Sequence, residues 1–171
     1  ADANASATAS REAALTPDLK AKRDAALAEP APTKPKQMNE ESPEGAAASV
    51  GYFLDLYRYA FMTGNTTELA AMSEDGCKFC QSAIERATTL HATGGWIDKW
   101  NQDITDTTYY EKLEGRDYNR VTVIVNYGPM TSHSGDRGTP KTSTPDEGRT
   151  LNFGVRYING HWSVGGVEVP K

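Results

Sequence analysis

Apolar residues recur at Ala46, Val50, Phe53, Leu54, Tyr57, Ala60 and Phe61, spacings of three and four that gather them on one face of a helix. Ser42-Pro43-Glu44-Gly45 carries the start signals of that helix. Ser42 accepts a backbone N–H bond as cap, Pro43 suits the first helical position, and Glu44 meets the positive helix end. Gly64 stops it. Asn65-Thr66-Thr67-Glu68 has capping-box spacing and predicts a short second helix through Leu69, Ala70 and Met72. A third helix, about 77–92, carries Cys80, Ala83, Ile84, Ala87 and Leu90 on its buried side and ends at Gly94-Gly95. The period then moves toward two. Residues 96–110 read as one long or bulged strand, and Val121, Val123, Val125 and Tyr127 alternate cleanly before Gly128-Pro129. Phe153, Val155 and Tyr157 repeat the alternation, Asn159-Gly160 is a two-residue hairpin turn, and Trp162, Val164, Val167 and Val169 carry the return strand. Gly165-Gly166 moves the alternation by one residue, which predicts a bulge. Helices first and antiparallel strands after predict an α+β fold: three helices packed on a curved antiparallel sheet of about four strands.

The residues before this pattern look different. All 3 Trp, 8 Tyr and 4 Phe of the 171 residues lie between Tyr52 and Trp162. Residues 1–43 are rich in Ala, Ser, Thr and Pro, and such a composition buries too little apolar area to offset backbone entropy. The expectation is a disordered or extended tether over 1–43, followed by a folded domain over 44–171. Thr16 as cap, Pro17 as first residue and Pro30 as stop frame one short helix within it, about 17–28, expected to be transient rather than docked because its apolar stripe is thin. The formal net charge of -5, without a basic stripe, argues against a nucleic-acid partner. No run approaches the roughly 18 apolar residues of a membrane-spanning helix. The N-terminus has neither the basic start nor the apolar run of a secretory leader.

The order of elements, ending in Tyr-Ile-Asn-Gly-His-Trp-Ser-Val over 157–164, resembles the nuclear-transport-factor-2-like fold, also called SnoaL-like or cystatin-like. That resemblance implies a cone-shaped sheet wrapped on the helices, with a pocket at its mouth. The run Ser42-Pro43-Glu44-Gly45-Ala46, the aromatic helix over 52–61, Thr63-Gly64-Asn65, Cys77-Lys78-Phe79-Cys80 and Gly94-Gly95 is similar to an actinobacterial lipoprotein domain family of unknown function. In such lipoproteins a tail like residues 1–43 follows a lipidated cysteine. The resemblance therefore implies an extracytoplasmic domain held to the membrane by a lipid anchor ahead of Ala1.

Cys77 and Cys80 are the only cysteines. Residues three apart on a helix have Cα atoms roughly 5 Å apart, within disulfide range. A structural disulfide is preferred over free thiols, a redox dithiol or a metal site. The redox reading lacks the preceding strand of a βαβ unit, and the metal reading lacks a second ligand pair. His91 and His161 have structural explanations, at a helix C-terminus and beside a turn. His133, Asp136 and Arg137 lie in a long loop, 131–147, which reads as a mobile connector before it reads as a binding loop. Tyr52, Asp55, Tyr59, Trp96, Trp100 and Tyr109 are candidates to line a cone mouth, with Asp103 and Tyr110 nearby in sequence. There an Asp can serve as general base and a Tyr as oxyanion donor. For Asp55, between Leu54 and Leu56, a solvated helix face is preferred. No nucleophile, phosphate or metal motif is present, and no cofactor is implied. The sequence thus points to a noncatalytic envelope domain binding a protein, a cell-wall component or a small ligand, ahead of a SnoaL-like enzyme with an apolar pocket.

Overall fold

A computed structural model describes residues 2–13 and 15–171; the expected lipid anchor ahead of Ala1 lies outside them. In chain order the elements are helices α1 (Asp2–Ala13), α2 (Pro17–Leu27), α3 (Pro43–Thr63), α4 (Thr67–Met72) and α5 (Lys78–Ala92), then seven strands. The strands are β1 (Trp96–Ile97), β2 (Gln102–Tyr110), β3 (Asn119–Tyr127), β4 (Thr131–His133), β5 (Lys141–Thr142), β6 (Asp146–Ile158) and β7 (His161–Glu168). They form two antiparallel sheets, a main one in the order β2-β3-β6-β7 and a small one in the order β1-β4-β5. No described helix is long and apolar enough to cross a membrane.

The helical half follows its local signals. Ser42 Oγ accepts from Gly45 N at 3.0 Å to start α3, and Gly64 ends it with φ at 80°, a left-handed conformation that favours glycine. At α4 the cap is one residue later than the spacing predicts: Asn65 Oδ1 takes the amide of Thr67, so Asn65 forms a turn ahead of the helix. The buried stripe of α3 meets the inner faces of β3, β6 and β7. Phe53 and Phe153 pack edge to face at 5.5 Å, beside fully buried Val50, Val121, Val125, Val155 and Val164. Burying each such side chain contributes on the order of 1.5–3 kcal/mol, so this layer carries the fold.

The strand pattern holds in the hairpin β6–β7. Asn159 and Gly160 both have positive φ, and pairing slips between Gly154 and Val155, leaving Gly165 as the extra residue on β7. A side chain at Gly165 would come within 2.2 Å of the Tyr118 ring.

Three expectations are corrected. Residues 96–110 are two strands in different sheets rather than one. The break falls at Trp100, whose indole is buried and whose carbonyl accepts from Arg58 Nε at 2.8 Å, drawing the chain toward α3. The 131–147 loop is not a free connector. It folds back as β4 and β5, pairs Trp96 with His133, and holds Gly94 O with Arg137 Nη1.

The described residues among 1–43 also differ from a disordered tether. Residues 2–13 are helical, as the high helix propensity of alanine permits, and α2 is docked rather than transient. Ala26 is fully buried, and just beyond α2 the Glu29 carboxylate meets Arg58 and Lys99, each at 2.8 Å. Between α2 and α3 a 3-10 turn (Lys36–Asn39) buries Met38. Trp162 Nε1 then donates to Glu40 O at 2.8 Å, and the Tyr157 hydroxyl to Asn39 O at 3.1 Å. Composition missed this because the apolar partners belong to the domain and not to the segment itself.

Candidate binding groove

The chain segment ahead of α3 and the near ends of β2, β3, β6 and β7 enclose an open groove of about 530 Å³. It is lined by Tyr109 and Lys112, by Tyr157, Ile158 and Trp162, and by the charged residues Glu41, Glu111, Asp117 and Arg156. Asn119 lines it too. Its Oδ1 accepts from Lys112 N at 2.9 Å and its Nδ2 donates to Val155 O, so both ends of this buried amide are used. The Tyr109 hydroxyl is pushed up by desolvation and further by Glu111 and Glu41.

Arg156 connects the groove to a four-member polar network. Both its Nε and Nη2 donate to the Glu74 carboxylate, which also accepts from Ser163 Oγ and the Tyr118 hydroxyl, each at 2.8 Å. The Arg156 guanidinium lies 4.9 Å from the Tyr118 ring centre. Desolvation alone would raise the Glu74 carboxyl. The combined hydrogen bonds from Arg156, Ser163 and Tyr118 outweigh it and hold that carboxyl below the usual carboxylate range. Four donors saturate Glu74, so it is an anchor and not an available base. The chain also donates Glu74 N to Val164 O at 2.9 Å, which ties the α4–α5 connection to β7.

The sequence candidates do not converge on one pocket. Tyr109 alone of the six mouth candidates lines the groove. Tyr52 is buried beside Met38, Met72 and Trp162 at a separate, smaller groove of about 360 Å³. Tyr59 is half-buried on α3, and its carbonyl accepts from Thr63 Oγ1. Asp55 stays solvent-exposed; partial desolvation raises its carboxyl and Arg58 offsets part of that, but no tyrosine hydrogen-bonds to it among the described residues. Trp100 is buried beneath the Arg58 guanidinium, 5.6 Å from its centroid.

Trp96, His133 and Arg137 do come together. The Trp96 and His133 rings stack at 4.3 Å and 14°, Arg137 sits 5.2 Å over the Trp96 ring, and Asp98 bridges Trp96 Nε1 and His133 Nε2. This buried stack joins the two sequence-candidate sets, pocket and loop. Asp136 shapes its own turn, accepting from Ser134 Oγ and Gly138 N, which lowers its carboxyl. Cys77 and Cys80 are bonded to each other, with Cα atoms 5.2 Å apart, and both are buried. Cys77 is also the cap of α5, its Sγ accepting from Cys80 N. Among the described residues, no cluster of three or more His, Cys, Asp or Glu side chains is placed to hold a metal ion.

Sequence reasoning missed Glu74, Lys112, Tyr118, Asn119, Arg156 and Ser163. Glu74 and Ser163 are 89 positions apart, so no local spacing marks them. The one sequence signal nearby is Gly165, the residue that makes room for Tyr118.

Residues 21–168 match a family described as "Family of unknown function (DUF6318)". The chain belongs to that family. The DUF6318 match opens inside α2, so the segment from 21 to 43 that packs on the domain falls within it. No curated protein matches the chain. A similar solved structure is the crystal structure of the intermembrane space region of the chloroplast protein ARC6. It superposes with a TM-score of 0.52 at 12% sequence identity, over 76% of this chain and 97% of that one. At that identity the likeness concerns the fold of the DUF6318 domain alone.

Proposed function

We propose that the chain is a noncatalytic binding domain of an actinobacterial lipoprotein, displayed outside the cytoplasm and tethered to the membrane ahead of Ala1, with nuclear-transport-factor-2-like kinship. The open polar groove beside Tyr109 is its ligand site. The observation that carries this reading is the lining itself: Tyr109, Tyr157 and Trp162 stand with Glu41, Glu111, Asp117, Lys112 and Arg156, and Arg156 is fixed in place by Glu74. The disulfide supports an oxidising compartment. Helices followed by an antiparallel sheet support the kinship. Tyr side chains with both charge signs in the lining suit a hydroxyl-rich, zwitterionic ligand such as a cell-wall glycopeptide.

Titration of the chain with soluble peptidoglycan fragments, followed by amide chemical shifts, tests the site. Shifts should gather at Tyr109, Lys112, Asn119 and Trp162, and Lys112→Glu should weaken binding about tenfold. Absence of shifts, or shifts centred elsewhere, would overturn it.

The second reading is a SnoaL-like enzyme, favoured by the raised carboxyl of Asp55. It requires an apolar ligand beside Asp55. Shifts at Gly51, Asp55 and Ile104 with a hydrophobic probe such as 8-anilinonaphthalene-1-sulfonate would replace the first reading with this one.

A further inference from the structure

The two edges of the main sheet are unlike. The β7 edge is covered, because Ser73 bridges Val164 and Glu74 N bonds its carbonyl. The β2 edge is open: among the described residues this nine-residue strand pairs only with β3, and no other backbone bond reaches it. Such a row of free N–H and C=O groups is a template for another strand. Large apolar side chains are also exposed here, with Ile104 at 38%, Tyr110 at 45% and Leu113 at 75%.

Charge along the edge is polar in the sense of the strand. Asp103 and Asp106 occupy its first half, both exposed. At the far end Lys112, Arg116 and Arg120 line an open groove of about 570 Å³ in which Glu111 is the one acid. No ion pair among the described residues engages these three cations. Arg120 lies 4.2 Å over the Tyr110 ring.

We infer that β2 pairs antiparallel with β2 of a second copy, on a two-fold axis at Thr108, joining the two main sheets into one. Reversing the strand across the axis sets the acidic half of each copy against the basic end of the other, the self-complementarity that a two-fold interface requires. In this register Asp106 faces the other copy's Tyr110, on whose ring Arg120 already rests, and the contact occurs twice. The bulge between Ile104 and Asp106 lies outside the paired stretch and falls at the mouth of the other copy's groove. Acidic residues on an open edge repel indiscriminate strand addition. Here they leave favourable the pairing in which they meet cations.

Sedimentation equilibrium of the full chain tests the assignment. The mass should approach twice 18.6 kDa with rising concentration. Asp106→Arg and Arg120→Asp should each weaken the dimer about tenfold or more, by placing like charges at both contacts. Mixing the two single variants should restore it, because each contact then carries one cation and one anion. Thr108→Cys should give a disulfide-linked dimer on oxidation, since both native cysteines are already paired, and circular dichroism confirms that each variant is folded. A wild-type chain still monomeric at about 1 mM would overturn the proposal. So would a dimer indifferent to the charge reversals, which would place the interface elsewhere, or reversals that mixing does not rescue.

Discussion

Glu74 and Trp96 each join segments far apart in the chain, and they do so by different physics. Glu74 closes the β7 side of the main sheet as a carboxylate surrounded by four donors from Tyr118, Arg156 and Ser163. Trp96 closes the small sheet as a buried indole, stacked on His133, covered by Arg137 and fixed by Asp98. The first depends on direction and charge, so it fails when one partner changes. The second depends on filled volume, so its loss leaves a hole.

The largest effect should follow from Trp96→Ala. Removing a side chain only 1% exposed costs about 3–5 kcal/mol in transfer and cavity terms. Chemical denaturation should show that loss, and amide exchange should open at Thr131, Ser132 and His133 first. A loss below about 1 kcal/mol would mean the stack is not the anchor of the small sheet.

Glu74→Ala should cost less, about 2–3 kcal/mol, through an unpaired Arg156 and lost charge-assisted bonds in a network that water partly reaches. Its pH dependence separates the two anchors. The folded Glu74 carboxyl lies below its ordinary value of 4.5, so its contribution is complete above that value and is lost as pH falls through the folded value. Glu74→Gln should therefore lose part of the acid sensitivity of wild-type stability below about pH 4.5, and Trp96→Ala should keep it. Equal acid profiles for wild type and Glu74→Gln would break the distinction.

Cys77→Ser with Cys80→Ser should have the smallest effect, because so short a loop gives about 2 kcal/mol at most on chain-entropy grounds. The damage should stay on the Glu74 side, as early exchange at the start of α5 with the Trp96 stack protected. Even loosening of both sides would show that they are one cooperative unit.

How far each part of the molecule was legible depends on the separation of its partners. The cap and stop of α3, the Val121 to Val125 alternation, the Asn159-Gly160 turn and the Gly165 bulge were readable because each is decided within a few residues. The cysteine pair was readable for the same reason. The groove was barely so. Tyr109 was a candidate by residue type, but Asn119, Arg156 and Trp162 reach it from three other strands, and nothing local distinguishes them from surface or core residues. The loop over 131–147 misled by its composition, since His133 is buried only because Trp96, 37 positions earlier in the chain, lies beneath it.

By itself the sequence determined the α+β order, the element boundaries set by caps and turns, and the bonded cysteines. These are short-range choices of backbone geometry, and the residues that make them are adjacent. Tertiary structure alone decided that residues 17–43 belong to the packed domain, that residues 96–110 divide between two sheets, and that one sheet edge is closed while the other is open. Those outcomes depend on surfaces that exist only after distant segments meet: an indole looking for an acceptor at Glu40, an arginine reaching Trp100 O, a carboxylate collecting donors from β6, β7 and the segment ahead of β3.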